Sequence, residues 1–309
     1  MMREEKTPMV RTRRACLRQF GALSLLALPR TTRQIPAPAA LLVLLEHCEG
    51  RALASLPGWS RWTASGTLLS PVREIDGARH CTALLAGSEA SHQLLTEVLL
   101  ETGNTVALVS SGAAATLEEL AREPARPVRI SCAALQTAAP VADNKDEVLL
   151  AALRAAGLEV PAVRSALLQR RILRRGLLPV DNADDAHLLT ATSVALELAR
   201  ELPATLTVLR LSVSAGDTRF ATIMNRAITQ LLEGATNNLS VVIACLPALP
   251  VPEKQEPQRA AAFLFGQRFK QGFAVRSGAA LLDLAPLLAH LLGVKLPEAR
   301  GKLLRSVLS

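Results

Sequence analysis

Residues Leu206–Pro247 read LTVLRLSVSAGDTRFATIMNRAITQLLEGATNNLSVVIACLP, and this stretch decides the predicted fold. Its two ends, Leu206–Val213 and Leu239–Leu246, are apolar runs rich in Leu and β-branched residues, as is typical of strands buried on both faces. Between them, Ala221–Leu232 carries apolar residues at helical spacing. Two buried strands joined by one helix form a right-handed βαβ crossover, so the stretch predicts a parallel sheet.

The two strands of this unit lead into segments of different polarity. In open parallel sheets, ligands bind beyond the carboxyl ends of the strands. The first strand is followed by Ser214–Arg219, which includes Asp217 and could hold a polar site. The second ends in Cys245-Leu246-Pro247, which offers almost nothing for chemistry. The contrast predicts a site at the first end only.

The remainder of the chain continues the alternation of strands and helices. Further strands are predicted at 40–45, 67–72, 105–110, 128–132 and 260–265, and helices at 93–100, 116–122, 147–156, 185–202 and 279–292. In the last of these, Asp283 is the expected N-cap and Gly293 the expected C-cap. Without an internal repeat or a convincing linker, residues 40–309 are predicted to form a single α/β domain, with a three-layer, mostly parallel sheet and helices on both faces.

The charge of the chain is concentrated at its amino terminus. Residues 1–35 hold eight Lys and Arg against two Glu, a net charge of +6 out of the total of +8. With 3% aromatic residues and no Tyr, a base-stacking surface for nucleic acid is not expected. No apolar run reaches the roughly 18 residues that a transmembrane helix needs.

The amino-terminal arm, residues 1–39, has the pattern of an export signal. Arg13 and Arg14, followed by Leu17 and the apolar run FGALSLLALP at 20–29, resemble a bacterial twin-arginine signal. This resemblance implies delivery to the periplasm. The alternative is a basic tail on a cytoplasmic protein that binds an acidic partner.

The five cysteines do not form a recognisable framework. They are scattered without a C-x-x-C pair, which argues against a set of disulfides or a zinc site. Buried free thiols are the expectation.

The carboxy-terminal third resembles a known superfamily. The segments AAFLFGQRFKQG and LLDLAPLLAHLLGVKLPEARGKLL, at 261–272 and 281–304, are similar to the closing segment of the alkaline phosphatase/sulfatase superfamily. The residues that match its pattern are Asp283, Pro286, Leu291, Leu292, Gly293, Val294 and Pro297. Upstream, Gly216–Arg219 resembles a G-W-D-T-H strand end in an uncharacterised exported branch, with Arg219 in place of His. The segments ALLVLLEHCEG and VREIDGARHCTALLAG resemble its first metal-ligand loop and nucleophile region.

The resemblance implies an alkaline-phosphatase-like fold and, in its active members, two cations about 4 Å apart that activate a nucleophile. Here the usual first Asp becomes Glu46, and the nucleophile position falls on Gly77, with Cys81 and Thr82 out of register as weak catalytic candidates. The strand ending at Cys245 lacks its expected ligands, and residues 253–265 contain no His. A complete two-metal site is therefore not expected.

The polar groups left at predicted strand ends are Glu46, His80 and Asp217, with His47 and Asp76 nearby. They could bind one divalent cation (zinc, calcium or magnesium), or they could be loop groups that cap helices.

The preferred hypothesis is an exported, degenerate member of the superfamily that acts as a non-catalytic binding or structural protein without a cofactor. Its partner would be a protein or a small anionic ligand. The alternative is a metal-dependent phosphate- or sulfate-ester hydrolase with a shifted site. In that case Glu46, His80 and Asp217 hold the cation, and Thr82 or a bound water attacks.

Overall fold

The computed structural model of the chain describes residues 38–48, 50–73, 80–91, 93–111, 114–121, 128–131, 188–189, 191–192, 195–196, 198–200, 204–212, 220–234, 238–247 and 260–309. The amino-terminal arm with Arg13, Arg14 and Leu17 lies outside these residues, as does the helix predicted at 147–156. The domain boundary at residue 39 and the export signal therefore stay predictions. None of the helices in the described ranges is both long enough and apolar enough to cross a bilayer.

Eight strands form one sheet in the described part of the chain. Their order across the sheet is β4-β3-β5-β1-β6-β7-β2-β8. β7 runs antiparallel to both of its neighbours, and the other pairs are parallel. In chain order the strands are β1 Ala39–Glu46, β2 Thr67–Val72, β3 Thr105–Ser110, β4 Val128–Ser131, β5 Ala204–Ser212, β6 Leu239–Leu246, β7 Ala260–Phe265 and β8 Phe273–Val275. The predicted mostly parallel sheet is confirmed, and only the three-residue β8 was not foreseen.

The stretch from residue 206 to 247 has the predicted order of strand, helix and strand, but its two strands are not neighbours. Between β5 and β6 lies β1, which pairs in parallel with both. In this register Glu46 lies opposite Ser212 on one side and Leu246 on the other. The last residue of β1 is therefore placed between the carboxyl ends of the two strands that the crossover supplies.

Helices cover both faces of the sheet. Successive residues of β1 point to opposite faces, so both faces present apolar side chains that pack against helices. Leu41, Val43 and Leu45 lie in one fully buried cluster with the helix α5, and Leu42 and Leu44 lie in another with α3 and α6. The helices are α1 Gly50–Ala54, α2 Trp59–Ser65, α3 His80–Ala86, α4 Leu95–Glu101, α5 Phe220–Gly234 and α6 Leu284–Leu292. Short 3-10 helices lie at Ala114–Leu120, Leu281–Asp283 and Arg305–Val307. The predicted three-layer α/β architecture is confirmed.

The start of the last helix differs from the prediction. A 3-10 turn precedes α6, and Asp283 takes the N-cap position without a side-chain hydrogen bond to the helix. Its buried carboxylate instead accepts the backbone N–H of Ala280 at 2.8 Å and that of Lys302 at 2.6 Å. The N–H groups that Asp283 accepts therefore come from Ala280, before the helix, and from Lys302 in the carboxy-terminal chain, rather than from the first turn of α6. Gly293 has a φ of 72° and ends α6 as predicted.

Candidate functional site

The site that the structure builds lies at the carboxyl end of β1 and is centred on an ion pair. Arg210 of β5 lies opposite Leu44, so its side chain leaves the sheet on the same face as that of Glu46 two residues further along. Its Nη2 lies 2.6 Å from Glu46 Oε1, and the two side chains are only 13% and 16% exposed. This is a largely desolvated, charge-assisted hydrogen bond.

A second carboxylate holds the other end of the guanidinium. Glu119, on the 3-10 helix Ala114–Leu120, forms an ion pair with Nη1 of Arg210 and is 40% exposed. Arg210 therefore bridges Glu46 and Glu119. Burial alone would lower the pKa of Arg210, but the hydrogen bond to Glu46 and the surrounding negative groups outweigh burial and raise that pKa above its ordinary value. The guanidinium is a permanent positive charge in this site.

Cys81, in the first turn of α3, completes the cluster. Its thiol donates a long hydrogen bond to Glu46 Oε1 at 3.8 Å. Burial is the main reason that the pKa of Cys81 rises to about 12; Arg210 opposes this shift, and the charges of Glu46 and Glu119 add to it. A thiol with this pKa is inert at neutral pH, which argues against Cys81 as a nucleophile.

This inertness can be measured. Cys81 is expected to react with iodoacetamide in the native protein far more slowly than in urea at pH 8, because only about one thiol in ten thousand is ionised there with such a pKa. Since burial raises the pKa, native labelling should increase about tenfold with each pH unit above 8 and level off only near pH 12, and it should also accelerate when the protein unfolds. Peptide mass spectrometry reports the labelled fraction, and rapid native labelling at pH 8 would contradict the assignment.

The sequence-predicted site residues are brought together only in part. Glu46 and Cys81 meet, and His80 is half-buried beside Cys81. His80 is the first residue of α3, eight positions after the end of β2, and residues 74–79 between them lie outside the described part of the chain. His47 is exposed with a φ of 57°, and Thr82 is half-buried in α3.

Two of the predicted ligands, Asp76 and Asp217, lie outside the described residues, as does the nucleophile position Gly77. The structure therefore does not place them relative to Glu46. Their convergence stays a prediction.

Within the ranges that the structure describes, no group of three His, Cys, Asp or Glu side chains could hold a metal ion. Glu46, the carboxylate that the resemblance assigns to a cation, is engaged by the guanidinium of Arg210. A cation at Glu46 would have to displace Arg210 or take its ligands from undescribed residues.

The strands on either side of β1, which are β6 and β5, end in surroundings of different polarity. At the end of β6, Leu246 is buried, and its carbonyl accepts the N–H of Cys48 at 3.2 Å. On the other side, the Ser212 N–H donates to Ser111 Oγ at 3.3 Å. The polar groups lie toward β5 and β3, and the end of β6 is apolar, as predicted.

Arg210 and Glu119 were missed by the sequence reasoning. The signal was present, because Arg210 interrupts an apolar strand whose pattern indicates burial on both faces. A buried Arg needs an acidic partner, and the predicted acidic residue at the end of a neighbouring strand was the candidate.

Comparisons with known proteins support the fold. No family model matches the sequence, and no curated protein matches it significantly. Murine ectonucleotide pyrophosphatase/phosphodiesterase 5, solved as an inactive variant in complex with AMP, is similar in structure, with a TM-score of 0.54 and 10% identity over 88% of this chain and 100% of that chain. The structure named Ps i-CgsB gives 0.50, with 14% identity over 86% and 75% of the two chains. At these identities the likeness shows the fold alone, which is alkaline-phosphatase-like, as the resemblance predicts.

Proposed function

We propose that this chain is a non-catalytic member of the alkaline phosphatase/sulfatase-like proteins that acts as a binding or structural protein. The observation that carries the proposal is the pairing of Glu46 with Arg210. In the family pattern that position supplies oxygen to a cation, whereas here it neutralises a guanidinium.

A guanidinium supplies part of the positive charge of a metal ion but none of its chemistry. Arg210 carries one positive charge and a planar set of N–H donors, and it stays protonated under all ordinary conditions. It has no open coordination position, so it neither acts as a Lewis acid on a phosphoryl or sulfuryl oxygen nor generates a metal-bound hydroxide. The inert thiol of Cys81 supplies no nucleophile in its place.

The proposal predicts that purified, untagged protein contains no stoichiometric zinc, calcium, magnesium or manganese. It also predicts no turnover of p-nitrophenyl phosphate, bis-p-nitrophenyl phosphate or p-nitrophenyl sulfate above a heat-denatured control. Elemental analysis and absorbance assays with each metal added measure both.

The opposite outcome would establish the alternative hydrolase. Stoichiometric metal together with turnover that disappears in Glu46→Ala or Asp217→Ala, but not in a matched His290→Ala variant, would contradict the proposal. His290 is the suitable control, because it is exposed in the last turn of α6.

The partner is proposed to be a protein or a small anionic ligand. Thermal shift measurements with phosphate, sulfate and a nucleoside monophosphate separate these two. A concentration-dependent rise in Tm identifies an anionic ligand. If none of these anions raises Tm, a protein partner is sought by co-purification at low ionic strength.

We further propose export by the twin-arginine route. The supporting observation is the pair Arg13 and Arg14 ahead of Leu17 and an apolar run. In a bacterial host, the full chain is expected in the periplasmic fraction, and the double substitution Arg13→Lys with Arg14→Lys should retain it in the cytosol. Arg30→Lys, in the same arm, is the matched control. An unchanged cytosolic distribution in all three proteins would contradict export.

A further inference from the structure

The apolar end of β6 holds a pair of cysteines that no proposed function uses. Cys245 is the second-last residue of β6, and Cys48 follows the end of β1 on the neighbouring strand. The backbone N–H of Cys48 donates to the Leu246 carbonyl, which fixes the two segments side by side. Both cysteines are fully buried and belong to the same apolar cluster on one face of the sheet.

The turn after β1 accounts for this meeting. Leu45 points into the same cluster as Cys245, its partner in the β1–β6 register. His47 adopts a left-handed φ of 57°, which breaks the alternation of the strand and returns Cys48 to that face. The thiols of Cys48 and Cys245 lie within hydrogen-bonding reach of one another, and both are reduced in this structure.

We infer that Cys48 and Cys245 form a disulfide site that links the ends of β1 and β6 when the chain folds in the presence of a small-molecule disulfide. The Cys48 N–H donates to the carbonyl of Leu246, the residue after Cys245, and the two thiols lie within hydrogen-bonding reach, so a disulfide between them requires little movement of the chain. Because the two residues are about 200 positions apart in the sequence, the cross-link closes a long loop and should constrain the unfolded chain strongly.

The chemistry is thiol–disulfide exchange, with glutathione disulfide as the oxidant. The thiolate of one cysteine attacks a sulfur of glutathione disulfide, forms a mixed disulfide and releases one glutathione. The thiolate of the second cysteine then attacks the protein sulfur of the mixed disulfide, forms the Cys48–Cys245 bond and releases the second glutathione. The two cysteines together lose two electrons and two protons, and these reduce one glutathione disulfide to two molecules of glutathione.

We expect thiol–disulfide exchange with glutathione to take place while the chain folds, and not once it is folded. In the folded chain, the hydrogen bond with Cys48 and burial raise the pKa of Cys245 well above its ordinary value, so the thiolate is scarce there. In the unfolded chain both thiols are exposed. The bond should therefore form during oxidative refolding and should form far more slowly when the reduced, folded protein is incubated with the same buffer.

The test is oxidative refolding of the full chain from urea at pH 8 with reduced and oxidised glutathione, followed by alkylation in urea, digestion and mass spectrometry. We expect the Cys48 and Cys245 peptides to be recovered joined, with Cys81 alkylated as the internal control. The oxidised protein should melt about 5 °C or more above protein refolded from urea in dithiothreitol without glutathione disulfide. In Cys48→Ser, Cys245 should be recovered alkylated, and the two melting temperatures should coincide.

Recovery of Cys48 and Cys245 as separate alkylated peptides would overturn the inference, as would joining of either one to Cys16, Cys81 or Cys132. If the urea-unfolded chain does not refold, cell-free synthesis in the same glutathione buffer gives the same two outcomes. The result is independent of the proposed lack of hydrolase activity, which the metal and turnover measurements decide.

Discussion

Replacing Arg210 with methionine is expected to lower the free energy of unfolding by about 3 to 5 kcal/mol, the range for breaking one side of a buried ion pair. The substitution keeps an unbranched side chain about as long as the aliphatic part of Arg210 but removes the guanidinium that Glu46 and Glu119 share. Glu46 is 16% exposed, so water compensates it poorly, and two carboxylates are left facing each other. Urea unfolding followed by circular dichroism measures the loss.

A matched control is available on the surface. Arg61 and Glu233 form a pair at 3.9 Å with side chains 73% and 63% exposed, so Arg61→Met should cost less than about 1 kcal/mol. The double variant Arg210→Met with Glu46→Leu should recover much of the loss, because it removes both buried charges. Equal costs for Arg210→Met and Arg61→Met would show that the buried pair does not stabilise the fold.

The sheet was predictable from the sequence because its central strands are apolar on both faces. β1, β3, β5, β6 and β7 begin and end within two residues of the predicted bounds. The sequence pattern of residues 206–247 does not reveal that β1 lies between β5 and β6. Pairing across the sheet depends on segments that are far apart in the chain. β8 was missed because its apolar run, Phe273–Val275, is only three residues long and too short to indicate a strand.

The site was less predictable for a physical reason. Searching for polar residues after the strands finds Glu46, but Arg210 lies within β5, two residues before its end. Its importance depends on side-chain direction, which places it beside Glu46 only through the β1–β5 register. Glu46 was a candidate partner for Arg210, but only the pairing of β1 with β5 places the two side by side. Glu119 lies within both the predicted helix and the observed 3-10 helix, and nothing in the sequence pattern pairs it with Arg210.

The resemblance to a metal-dependent superfamily and the geometry around Glu46 fit together once these partners are known. The family pattern marks the end of β1 as the place for a ligand to a cation. In this chain the same place holds an acidic side chain, but a guanidinium from the next strand neutralises it. The fold is alkaline-phosphatase-like, and Arg210 offsets part of the negative charge at the position where the family pattern places a cation. The stability of Arg210→Met tests whether the guanidinium compensates Glu46, and the metal content of the unaltered protein tests whether a cation is bound there as well.

Asp283→Ala is expected to lower the free energy of unfolding by about 3 to 6 kcal/mol, since its carboxylate accepts two hydrogen bonds and hydrogen bonds to a buried charged group are worth about 1.5 to 3 kcal/mol each. Asp283 is the first residue of the superfamily-like motif in the closing segment, but the structure gives it a packing role. Its carboxylate accepts the N–H of Ala280 and the N–H of Lys302, and it thereby ties the carboxy-terminal chain to the start of α6.

The segment that Asp283 holds is closely packed. The N–H groups of Arg300 and Gly301 donate to the carbonyl of Gly87, and a Cβ on Gly301 would lie 2.1 Å from the Leu282 carbonyl oxygen. In Asp283→Ala, hydrogen exchange at residues 300–302 should therefore accelerate together with the loss of stability. Glu298→Ala is the matched control, because Glu298 is exposed and bonds only to the exposed Ser91 side chain among the described contacts, so its cost should stay below about 1 kcal/mol. If Asp283→Ala unfolds at the same urea concentration as the unaltered protein and its exchange at 300–302 is unchanged, Asp283 does not anchor the closing segment.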